Sequence, residues 1–554
     1  MKKINKIILS SVFAGTVALV ATSCTNLDET LYSELTPDQY EFTPEDINRM
    51  VGPVYTSLAT AYWGWFGYND INEMGTDIWG VPYRVGIGWG DLYIPFHQHL
   101  YHSELGFLES TWYYVYQGIN VCNQMLDNPQ IQEDDATVAQ IRAYRALYYY
   151  MVFDLFRNIP LDTTYVHEDG WTPEQASPQE TFDFIVSELE DIKYDIMEDV
   201  VLGKFNRWAV HMLLAKMYIN RNAWFDNEAD DNVWYEKCLD ELNEIINSGK
   251  FSLASNYLQN FRQSIAGSPE IIFGIPFEEN YAGGNYSANL WMHEAGRATW
   301  EFSGWATGGG AVFPQFLDTY DPDDQRYTDC WISGPQYSKS GQPIIVDNDQ
   351  LNYTREVHSI NAAYPFESER LVKYEICSGE QGTSYDDQAF FRYAEVLLMK
   401  AECLLNLGSY NGENENMAPE LVTMVRQRNF TSAPGKAVRT LAQLKGGSVY
   451  NYGHRENLGE FGGADDWIIT EEGGNDIING GLYDEYGWEF VGECVRRQVM
   501  IRFKMTNGQN VWNGKSWFCK DRTENIGDVT KNVFPIPKDQ LDSNIKLVQN
   551  PGYN

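Results

Sequence analysis

Apolar residues recur at helical spacing over several long stretches. In SPQETFDFIVSELEDIKYDI, residues Phe182, Ile185, Val186, Leu189 and Ile192 share one face, and Ser177 with Glu180 makes a capping box at its start. TPEDINRMVGPVYTSLATAY opens on Thr43 as a cap, places Pro44 in the first turn and follows with acids, so it reads as one helix over 43–62. RWAVHMLLAKMYINRN (207–222) and DQAFFRYAEVLLMKAECLLNLGSY (387–410) carry the same period, the second ending at Gly408. Helices are also expected over 111–127, 135–157, 232–247, 417–429 and 486–503. They come in pairs with small residues at close-packing positions. The expected fold is therefore mainly α, a scaffold of tetratricopeptide-like helix pairs. The period lapses over about 60–105 and 250–385, which are rich in Gly, Pro, Asn and aromatic residues. Long irregular inserts on a rigid scaffold usually carry function.

The first residues follow a different logic. MKKINK is basic, and IILSSVFAGTVALV is an apolar run of about 14 residues, short for a membrane span. ATSC follows, with small residues before Cys24 and Ala21 where a leucine is preferred. The segment resembles a bacterial lipoprotein signal, cleaved after residue 23, with Cys24 as the lipidated residue. Several acyl chains would anchor the protein stably without a spanning helix. Residues 24–554 then form one large domain.

The chain has 554 residues, 21% of them charged, and a formal net charge of −38. So acidic a surface repels phosphate backbones and anionic headgroups, which argues against nucleic-acid binding and electrostatic membrane adhesion. Neutral and cationic ligands remain open. The aromatic content of 14%, with 17 Trp and 36 Tyr, exceeds what a core requires and favours a ligand surface. The seven cysteines after Cys24 are scattered and form no CxxC, as expected of mostly buried free thiols.

No motif points to catalysis or to a cofactor. There is no GxSxG and no HExxH, and GWATGGG lacks the Lys-Ser/Thr of a phosphate loop. HQHLYH offers His97, His99 and His102 as candidate metal ligands. Without a Cys or Glu neighbour to complete a set, they read as structural. DPDDQR lacks the glycine and distal Glu of a calcium loop and reads as a turn. In WEFVGECVRRQVMIRF, Glu489 and Glu493 stand four apart with Arg496 and Arg497 following, a spacing for helical salt bridges or a buried ion network.

The same segments carry a resemblance. AFFRYAEVLLMKAECLLNLG, WEFVGECVRRQVMIRF and the closing NVFPIPKDQLDSNIKLVQNPGY resemble the SusD/RagB family. NEMGTD (72–77), QIRAYRALYYYMVFDLFRNIPL (140–161), PEIIFGI (269–275) and FLDTYDPDDQRY (316–327) follow in family order. The resemblance implies a lipid-anchored, non-catalytic protein of the outer-membrane surface. Such proteins bind nutrients, usually oligosaccharides or polysaccharides, and sit as a lid on a SusC-like TonB-dependent transporter. A peptide-binding lid of the RagB type and, more remotely, a glycoside hydrolase are the alternatives.

A sugar ring offers a flat C–H face rimmed by hydroxyls. A matching site needs exposed aromatic rings, worth about 25 cal/mol per Å² covered. It also needs polar groups at their edges, because an unpaired buried hydroxyl costs about 1–3 kcal/mol. Two loop stretches meet that description. TDIWGVPYRVGIGWGD supplies Asp77, Trp79, Tyr83, Arg84 and Trp89, and the resemblance places a ligand loop after its TD element. NYSANLWMHEAGRATWEFSGWATGGG supplies Tyr286, Trp291, Trp300 and Trp305. Trp63, Trp65 and Trp112 lie at or within helices and are expected in the core.

Overall fold

The computed structural model describes residues 43–225, 231–279, 284–461 and 463–553. The signal segment and Cys24 lie outside them. The compact body runs from Ile47 to Asn554. Among the described residues no helix is long and apolar enough to cross a membrane.

The fold is mainly helical. Eight helices form the scaffold: α1 (Gly52–Trp63), α2 (Gly106–Leu126), α3 (Asp135–Phe156), α4 (Pro178–Ile192), α5 (Arg207–Trp224), α6 (Asp231–Asn247), α7 (Tyr393–Leu407) and α8 (Ala418–Gln427). Each packs on the next, even where a long insert separates them in sequence. The chain thus stacks helix hairpins, as the helix-pair reading expects. Caps fix the boundaries: Ser177 and Glu180 form the expected capping box, and Asp134 and Asn206 accept from the first backbone N–H groups of α3 and α5.

Three expected helices differ. The stretch 43–62 is two helices, Pro44–Met50 and α1, interrupted at Val51 because Pro53 lacks an N–H to continue the helical ladder and suits the first turn of a new helix. At 387–410 the first residues are a strand. Gln388–Arg392 pairs antiparallel with Ile271–Ile275, and the helix begins at Tyr393. Finally, 486–503 is divided between α9 (Gly480–Glu489) and α10 (Arg496–Arg502). Between them Gly492 and Cys494 hold φ of 74° and 60°, which a right-handed helix cannot pass through.

That break redirects the charges. Glu489 meets Arg392 at 2.7 Å and Arg428 at 2.6 Å, while Arg392 also reaches Glu270 at 2.8 Å and Glu493 at 2.6 Å. Arg326 joins Glu485 to Glu489 at 2.6 and 3.0 Å. All are buried. Glu489 and Glu493 do join a buried ion network, but not with Arg496 and Arg497, which pair with Asp77 and Asp154 instead; the network ties the second insert to α8 and α9 rather than running along one helix. Burial alone would raise the Glu489 carboxyl; Arg428, Arg392 and Arg326 outweigh it and hold it at about 2.

The two loop-rich inserts lean on each other. Trp79 and Gly80 pair with Val312 and Ala311, and Val85 donates to the Ala363 carbonyl at 2.9 Å. These cross-links position the site.

Candidate functional site

An exposed aromatic face stands where the inserts meet the end of α1. Helix α1 stops at Trp63 because Gly64 turns extended after its N–H reaches the Thr60 carbonyl. Two residues later Phe66 holds φ of 63°, a conformation an aromatic residue rarely adopts. Phe66 packs inward on Phe107 and Tyr93, with centroids at 3.9 and 6.2 Å. Trp65 meets the second insert instead: its ring lies 5.3 Å from Trp305 and 5.7 Å from Tyr286, edge-on to both. Tyr286 and Trp305 lie 5.6 Å apart at 35°. Trp305 is 41% exposed, and Trp65 and Tyr286 are half-buried. The Trp305 carbonyl accepts from buried Asn289 at 2.6 Å, which fixes the loop that presents the ring.

Several expected site residues serve the fold instead. Asp77 is fully buried: its carboxylate accepts from Arg496 Nε and Nη2 at 2.8 and 2.9 Å and from the Tyr452 and Tyr483 hydroxyls at 2.8 and 2.6 Å. Trp79 is buried against Trp291 at 4.8 Å, and its indole N–H donates to Glu73 at 3.0 Å. Burial raises that Glu73 carboxyl to about 7. Trp291 is itself buried. Arg84, also buried, donates to the carbonyls of Gly309, Gly310, Tyr364 and Glu367. Burial, then the neighbouring Arg370, pulls its guanidinium below the usual range. These four were expected at the ligand surface; enclosure by the second insert places them beneath it.

The others lie nearer the surface. Trp300 is half-buried in a small cluster with Met292 and Phe302. Tyr83 and Trp89 are half-buried on the loop 83–90. Trp89 lies on the backbone of Gly309, where a Cβ would come within 2.1 Å of the ring, and Trp291 lies on Gly310 in the same way at 2.7 Å. The glycine run of GWATGGG therefore seats two indoles.

Trp65 is the residue that helical reading put in the core. Its signal was the flanking pair Gly64 and Gly67 in WGWFG, which ends a helix rather than extending it. Trp63 and Trp112 are in the core as expected. So are His97 and His99, packed among Phe313, Trp512 and Trp517, where burial pulls the His97 imidazole down to about 3.

Comparison with known proteins follows from this geometry. A family model described as the SusD family matches residues 254–553. A SusD-like protein of Formosa agariphila is 22% identical over 426 residues, 72% of this chain and 70% of the relative. The starch-binding protein SusD of Bacteroides thetaiotaomicron is 27% identical over 238 residues, 39% of each chain. Among solved structures, a SusD superfamily protein of Parabacteroides distasonis superposes with a TM-score of 0.65 at 18% identity, covering 93% of this chain and 100% of its own. Surface glycan-binding protein A of Bacteroides thetaiotaomicron, solved with laminarihexaose, gives 0.62 at 20% identity over 92% of this chain and 100% of its own.

Proposed function

We propose, from the premise that the chain belongs to the SusD family, that it is a non-catalytic glycan-binding protein whose face of Trp65, Tyr286 and Trp305 holds a neutral oligosaccharide or polysaccharide. The observation that carries this reading is the convergence of three rings, from separate parts of the chain, at a surface where Trp305 is 41% exposed. Edge-on and tilted rings form a faceted surface rather than a single plane. Such a surface suits a curved sugar chain that lays successive C–H faces against it. The net charge of −38 disfavours sulfated and uronic-acid glycans. The named ligands of two relatives, starch and laminarihexaose, are neutral glucans and support the class. The remaining parts of the reading are a lipid anchor at Cys24, a place on the outer-membrane surface, and delivery to a SusC-like TonB-dependent transporter.

The test is calorimetry against a panel of neutral polysaccharides. A ring whose contact removes about 80 Å² of apolar area contributes about 2 kcal/mol, so Trp305→Ala or Trp65→Ala weakens binding about 30-fold. Unchanged affinity in both variants rejects the aromatic face. Release of reducing ends from the bound polysaccharide rejects the non-catalytic reading.

A further inference from the structure

Behind the loop that presents Trp305 lies a cavity of about 730 Å³. Its apolar wall includes Ile87, Tyr364 and Phe366, the last two stacked nearly parallel, 6° apart, with centroids at 5.3 Å. Phe366 is 38% exposed and Ile87 44%. Gln350 and Asn352 also line it, as do the exposed Asp347, on the turn between two short strands, and Asp349, which opens the second of them. Among the described residues no Lys or Arg side chain lines it. Stacked rings, amides and carboxylates without a cation are the complement of a polyol, whose hydroxyls donate to the carboxylates while its C–H faces cover the rings.

Two loops link the cavity wall to the residues around the aromatic face. In the first, Ile87 reaches the cavity and Trp89 lies on Gly309. In the second, the chain runs from Trp305 to Gly308, which packs beside His293 and the Pro365 carbonyl of the cavity wall. Three residues span at most about 11 Å, so Trp305 and that wall are close neighbours. Arg84 lies beneath, bound to the Gly309 carbonyl of the second loop and to the Tyr364 carbonyl of the cavity wall.

We infer that this cavity is a second saccharide subsite, which takes further units of the neutral chain held by Trp65, Tyr286 and Trp305. The inference rests on the reading of those rings as a glycan surface. Its acidic lining excludes polyanionic glycans, and the subsite makes affinity depend on chain length.

The experiment titrates matched disaccharides and hexasaccharides of neutral glucans, mannans, xylans and galactans into the wild type and into three variants, each first shown to melt like the wild type. The wild type binds the hexasaccharide of its preferred series about tenfold more tightly than the disaccharide. Phe366→Ala and Ile87→Asp each remove that gain and leave disaccharide affinity unchanged, whereas Trp305→Ala weakens both lengths. If Phe366→Ala and Ile87→Asp leave hexasaccharide affinity within twofold while Trp305→Ala weakens it, the cavity is not a subsite and the aromatic face stands. Binding of unrelated peptides but of no glycan, or no effect of Trp305→Ala, overturns both.

Discussion

Asp77 is where a role in folding and a role in binding separate most cleanly. The Asp77→Asn variant keeps the shape of the side chain and removes its charge. Its two oxygens now accept two N–H groups of Arg496 and two tyrosine hydroxyls, all from buried partners. An asparagine offers one oxygen to that set and turns an amide N–H₂ toward donors. Arg496 keeps the Tyr483 carbonyl at 2.8 Å but has no other anion on its side chain, and both partners are almost wholly enclosed. Breaking a buried pair by neutralising one partner costs about 3–5 kcal/mol, because the other charge stays desolvated. For a body of about 500 residues, with an unfolding entropy of about 2.1 cal/mol/K per residue, 4 kcal/mol lowers the melting temperature by about 4 °C. Scanning calorimetry reads that shift. Titration with the preferred glycan, well below the transition, reads affinity, which is expected to stay within twofold of the wild type. A variant that melts normally and loses the glycan would refute the placement of Asp77 beneath the surface.

Other outcomes follow from burial and charge. Glu489 is held at about 2 against an ordinary 4.5, so its stabilisation is complete above about 4.5 and disappears as pH falls toward 2; urea midpoints should drop across that window, and less steeply in Glu489→Gln. Asp70 has the opposite sign. Burial raises it to about 8 from 3.8, so stability declines as pH rises through that range, and Asp70→Asn should remove the decline and exceed the wild type above about 8. Cys24→Ser should release the protein from membranes in cells lacking the transporter partner, and continued membrane retention would reject the lipid anchor.

The helical scaffold was legible because its signals are local. Caps such as Ser177 and Asn206 and stripes such as Phe182 to Ile192 need nothing beyond one turn of chain. Two of the errors in the helices were non-local. Gln388–Arg392 became a strand because Ile271–Ile275, more than a hundred residues earlier, supplied a partner, and its paired phenylalanines suit either period. The break in 486–503 rests on Gly492 and on Cys494 in an unusual conformation, with the Cys494 N–H donating to the buried Glu73 carboxylate from a distant part of the chain. Among the candidate site residues, residue type was a poor guide to depth. Trp79 and Trp305 are the same residue in similar glycine-rich surroundings, yet one is 1% and the other 41% exposed. What separates them is which insert closes over which, and that depends on pairings such as Trp79 with Val312.

The three rings of the aromatic face come from position 65, at the end of a scaffold helix, and from positions 286 and 305, in a distant insert. No fragment shorter than residues 65–305 contains all three rings. On the proposed reading of those rings, recognition waits until the end of the scaffold helix and the insert have packed together. In practice, retention on a glycan column would count the molecules in which those two parts of the chain have come together.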